Sequence, residues 1–100
     1  MVDILNRAKA LGFDKDPNKY INNDGSETAE FLCLCLIKAF LGNHGLHLWL
    51  DSETLVSGKE FYFVSINKGF VSGAGFDSIN EAIKAGVERG LDMLEERRGE

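Results

Sequence analysis

The chain has 100 residues, 44% of them hydrophobic and 27% charged, with a formal net charge of −5. That length suits one domain, residues 1–100, and the composition is ordinary for a globular protein. The acidic balance repels nucleic-acid phosphates and anionic membrane surfaces, and the longest apolar run, Phe31 to Ile37, is far short of the roughly 20 residues of a membrane span.

Val2 to Leu11 reads as a short amphipathic helix with Ile4, Leu5, Ala8 and Leu11 on one face and Gly12 as its stop. The opening MVDILNRAKALG carries Asp3 and lacks a basic start and a long apolar core, so it does not read as a secretory signal. The next segment, GFDKDPNKYINNDGS, is dense in Asp, Asn and Gly and reads as a loop tethered by Phe13, Tyr20 and Ile21. Residues 1–26 thus form an N-terminal helix and loop, and residues 27–96 the core.

Asp24 or Ser26 caps a predicted second helix over Glu27 to Leu41. It is apolar nearly all round: Ala29, Leu32, Cys33, Leu36 and Phe40 lie on one side, Phe31, Leu34, Cys35 and Leu41 on the other. Such a helix needs cover on both sides, expected from the sheet and from another helix or a second subunit. Cys33 and Cys35, the two cysteines of the chain, read as buried free thiols in a reducing cytoplasm.

LHLWLD then alternates strictly, with Leu46, Leu48 and Leu50 facing one way and His47, Trp49 and Asp51 the other. After a polar loop, Ser52 to Lys59, FYFVSI and FVSGAG are expected to form a hairpin around Asn67-Lys68-Gly69, a type I turn closed by a left-handed glycine. The last helix is announced by a capping box, Ser78 and Glu81, and by Ile79, Ala82, Ile83, Gly86, Val87, Gly90, Leu91 and Leu94 at helical spacing. Its track Ala82, Gly86, Gly90 predicts close approach to a neighbouring backbone. The expected fold is α+β in the order α-α-β-β-β-α, a three-stranded antiparallel meander packed against helices.

Chemistry-bearing motifs are sparse. Asp14-Lys-Asp16-Pro-Asn18 begins like a calcium loop, but Lys19 and Gly25 stand where such a loop needs Gly and Glu. His44 and His47 lack the ligand spacing of a zinc site with Cys33 and Cys35. No nucleophile elbow, His-Glu-x-x-His or phosphate-loop signature occurs, so no catalytic residue, metal or cofactor is predicted. In FVSGAGFDSI, Gly73 and Gly75 suggest a phosphate cradle, but the third glycine of a dinucleotide fingerprint is missing. Asp77 would also meet the helix N-terminus itself. The glycines instead read as a bend or as clearance for a packed neighbour. The candidate binding surface is the outer sheet face: His47, Trp49, Phe61 and Phe63, with Gly73 and Gly75 beside them.

Two resemblances follow from these residues. The order helix, three strands, helix over Glu27 to Leu94, ending GAGFDSINEAIKAGVERGLDML, resembles the double-stranded RNA-binding domain. That family grips phosphates with lysines at the start of its last helix. This chain has Asp77, Ser78, Asn80 and Glu81 there, so the resemblance implies topology without RNA binding. GLHLWLD, the aromatic strand and GFDSINEAIKAGVERGL together resemble small phage- and prophage-encoded proteins of gut bacteria, which implies a context and no assigned activity. The expectation is a small cytoplasmic protein-binding module, non-enzymatic and homodimeric. The alternatives are a pocket for a small molecule or nucleotide beside Trp49, His47 and the Gly73–Gly75 turn, or an RNA-binding-like fold with lost binding.

Overall fold

The structure, a computed structural model, describes residues 2–14, 27–67, 69–71 and 75–98. Along these runs lie α1 (Val2–Ala10), α2 (Glu27–Asn43), β1 (Leu48–Thr54), β2 (Glu60–Ile66), β3 (Gly69–Phe70) and α3 (Ile79–Arg98), an α+β arrangement. The calcium-like stretch from residue 15 onward, Tyr20, Ile21, the caps Asp24 and Ser26, and Gly73 lie outside the described residues.

α3 is the central element. Its first turn is fixed by Ser78, whose Oγ accepts the Glu81 N–H at 3.1 Å, and its stripe Ala82, Ile83, Gly86, Val87, Gly90, Leu91 and Leu94 is buried. A Cβ at Gly86 would stand 2.6 Å from Val64 Cγ2 and 2.7 Å from Leu48 Cδ2; one at Gly90 would stand 2.6 Å from Leu41 Cδ1. The small-residue track therefore admits side chains of the sheet and of α2, rather than neighbouring backbones. One face of α3 seats the inward leucine and valine of β1 and β2, and another seats α2.

α2 departs from its predicted faces. Cys33, Leu34, Ile37 and Leu41 form its buried stripe, whereas Leu32 is 41% exposed. Apolarity all round gave no angular preference, so the sequence could not say which stripe meets α3. α2 packs chiefly on α3 rather than on the sheet.

The sheet also corrects the expected boundaries. β1 runs on to Thr54, because Ser52, Glu53 and Thr54 find partners in Tyr62, Phe61 and Glu60. The residues expected as a polar loop therefore extend a hairpin. Its tip is the type I turn with a left-handed glycine: Gly58 N–H donates to Leu55 C=O at 2.8 Å, Leu55 N–H to Lys59 C=O at 2.8 Å, and Gly58 has φ +88°. At the second turn Ile66 pairs directly with Gly69, and Asn67 is itself left-handed at φ +50°. That is a two-residue connection, for which Asn is a preferred first residue. Asn67 also clasps the start of β1, accepting from His47 N–H at 3.0 Å and donating from Nδ2 to Gly45 C=O at 3.1 Å.

Among the described residues the expected third strand is short. β3 has two residues, and the next pairing is an isolated bridge between Tyr62 and Phe76. From the Ser65–Phe70 pair to that bridge, β2 advances three residues and the other segment six. The sheet is in substance a two-stranded ribbon with a short flank.

Three arginines tie the helices together. Arg7 on α1 forms ion pairs with Asp92 and, at 2.8 Å, Glu95 on α3. Arg97 donates to His44 C=O at 2.9 Å and Arg98 to Leu11 C=O at 2.6 Å. The last turn of α3 thus places a cation on a carbonyl just beyond the end of both other helices, where orphan carbonyls and the negative end of the dipole favour it.

Candidate outward face and strand edge

Strand alternation and register place the site. Trp49 stands opposite Ser65, Asp51 opposite Phe63 and Glu53 opposite Phe61, and opposed residues share a face. His47, two residues before Trp49, belongs to the same side. The reverse side carries Leu48, Val64 and Ile66, buried under α3, with Leu50 and Tyr62 half-buried. The shortest molecular dimension, 19 Å, holds one layer of helices and one sheet. Among the described residues no helix covers the outward face.

The structure brings together His47, Trp49, Phe61 and Phe63 from the predicted surface. His47 is exposed and Trp49 is 64% exposed; Phe61 and Phe63 are half-buried. Gly75 reaches the same face from the far side of β2. A Cβ there would lie 2.8 Å from Phe61 Cβ and 3.2 Å from Phe63 Cζ, so its small size admits the two rings. Trp49 and Gly75 consequently flank β2 on opposite sides, and Gly73 of the expected pocket lies outside the described residues.

Sequence reasoning missed two neighbours of this face. Lys59 lies with Nζ 4.9 Å from the Phe61 ring centroid and 3.6 Å from Asp77 Oδ1, so the residue at the last helix's start is matched by a lysine from the hairpin tip. Second, a groove of about 440 Å³ runs beside β1, lined by Lys38, Ala39 and Gly42 of α2 and by His47, Leu48, Trp49 and Leu50. Lys38, breaking an otherwise apolar helix, was the sequence signal for it.

The titratable groups near the core are muted. Burial pushes both thiols, Cys33 and Cys35, above their ordinary value. Tyr62 donates to Glu60 Oε2 at 3.0 Å, and that bond raises its phenol. Among the described residues no three His, Cys, Asp or Glu side chains converge to hold a metal ion, and no helix is long and apolar enough to cross a membrane. Comparison with protein families, curated proteins and solved structures finds nothing that matches this chain.

Proposed function

We propose that the protein is a small, non-enzymatic interaction module of the cytoplasm that binds protein through the outward face of its sheet and the adjoining β1 edge. The observation that supports this most is Trp49: a large aromatic ring, 64% exposed, on an uncovered face beside half-buried Phe63 and Phe61. Exposed aromatic clusters of this kind are enriched at interfaces. The phage or prophage context implied by the C-terminal pattern belongs to the same proposal. The test is capture of protein from a bacterial lysate by the native chain and by Trp49→Ala and Phe63→Ser variants with native circular dichroism. Partners held by the native chain are lost by both variants; retention of the same partners by both overturns the reading.

The groove beside His47 and Trp49 favours one further reading, a small-molecule or nucleotide binder in which Lys38 meets an anion and Trp49 a base. It predicts a change in Trp49 emission on titration with nucleotides, abolished by Lys38→Ala. The protein-binding reading predicts none.

A further inference from the structure

β1 is the edge of the sheet: among the described residues it pairs with β2 alone. Asn67 N–H donates to His47 C=O and Leu55 N–H to Lys59 C=O. These bonds fix the alternation, so odd-numbered residues bond to β2. Leu48, Leu50, Ser52 and Thr54 then direct their N–H and C=O groups to the open side. Natural sheets protect such an edge with charged side chains, Lys above all, with Pro, a bulge or a covering element. The charges of β1, Asp51 and Glu53, lie toward its C-terminal end and leave Leu48 to Leu50 uncharged. β1 contains no Lys or Pro, its register against β2 is unbroken from Leu48 to Thr54, and the groove alongside gives a strand room to enter. The α2 wall of the groove offers exposed Ala39 and small Gly42, with Lys38 beside them and the His47 ring near Gly42, so a strand that enters displaces only these two side-chain ends.

We propose that the same edge of a second copy occupies it, antiparallel, with Trp49 on the two-fold axis. This rests on the interaction-module reading and names the partner. Because even-numbered residues of both copies must supply the bonds, the axis falls at a residue. An axis at Asp51 or Glu53 sets that carboxylate against itself, and one at Ser52 sets Asp51 against Glu53; directly opposed like charges are destabilising. An axis at Leu50 leaves Trp49 facing Asp51, one at Leu48 sets His47 against Trp49 and Asp51 against Gly45 before the strand, and one at Thr54 pairs only the strand's end with the hairpin tip. An axis at Trp49 sets indole against indole, Leu48 against Leu50, and His47 of each copy against Asp51 of the other. The outward row His47-x-Trp49-x-Asp51 is its own complement when reversed, and an imidazole N–H can donate to the carboxylate in either protonation state. This symmetry argues for a second copy over an unrelated strand, which would have to supply both groups at the same spacing.

The test uses sedimentation velocity of the full chain over a concentration range, with oxidative cross-linking of Trp49→Cys and Glu53→Cys variants. The unsubstituted chain serves as blank for its own cysteines. A monomer–dimer equilibrium is expected, with rapid cross-linking at position 49. Position 53 stays unlinked, since eight residues of extended chain separate it from its copy by about 27 Å. His47→Asp and Asp51→Lys, both at exposed positions, each weaken self-association about tenfold. An equimolar mixture of the two restores it, because the mixed dimer sets the introduced carboxylate against the introduced ammonium at one contact and keeps the native His47–Asp51 pair at the other. A chain that is monomeric throughout overturns the proposal. It leaves the interaction reading standing if Trp49→Ala still loses captured protein. A dimer that cross-links equally at 49 and 53, or is not restored by mixing, overturns the proposal as well.

Discussion

At the scale of single residues, what a glycine excludes matters more here than the conformations it permits. Gly86 faces β-branched Val64 and Leu48, whereas Gly90 meets only the end of the Leu41 side chain. Ala gains about 1 kcal/mol in helix propensity at either site, and overpacking a tight core costs about 1–3 kcal/mol. Urea unfolding should therefore show Gly86→Ala destabilised by about 1–2 kcal/mol and Gly90→Ala close to neutral, since a leucine terminus can turn aside and a valine on a strand cannot. The thiols make a second prediction at this scale. Burial raises both above the ordinary 9.0, so at pH 8 iodoacetamide should alkylate each more slowly than free cysteine, with buried Cys33 slower than Cys35, and urea should abolish the difference. The linkage has one sign: the unfolded chain ionises first, so the thiols' contribution is intact below pH 9 and is lost as pH rises through the folded values.

At the scale of elements, α1 is nine residues, too short to be stable as an isolated helix. It stays folded because Ile4, Ala8 and Leu11 are buried and because α3 holds its C-terminal end through Arg7 and the Leu11 carbonyl. The bonds to Glu95 and then Asp92 raise Arg7 further above its ordinary value. Its charge is therefore constant through the usable pH range, and added salt should weaken this half-exposed tie. Arg98 donates to the Leu11 carbonyl in a part-buried setting. Arg98→Ala should cost about 1.5 kcal/mol, and hydrogen exchange should show α1 amides opening ahead of β2 and α3. Equal acceleration in all three would mean that the contact is not specific to α1. The elements also show how far pattern carries. α3 was legible to its capping serine, because its apolar and charged residues separate cleanly around the helix. α2, apolar on every side, gave its length and not its orientation.

At the scale of the molecule, the described residues form two layers, and among them no helix covers the outward side of the sheet. Among the described residues the surplus apolar surface is then Trp49 on one face, Leu32 on α2, the hairpin tip Leu55 and Val56, and Ile79, which was expected on the buried stripe of α3 but stands exposed in its first turn. The proposed dimer would remove the Trp49 part of that surface, so its emission should shift to the blue as concentration rises through the dimerisation range. The sequence by itself determined the α+β class, the helices near the two ends, the alternation of β1 and β2, and the gathering of His47, Trp49, Phe61 and Phe63 on one side of the sheet. These follow from local periodicity, which needs no knowledge of what packs where. Only the tertiary structure decided that the polar residues after Asp51 extend a hairpin, that Phe76 meets Tyr62 three residues out of the β2–β3 register, and which glycine meets which side chain. It also decided that β1 borders a groove with α2. Those outcomes depend on cross-strand partners and helix placement, and such contacts join residues that leave no joint signal along the chain.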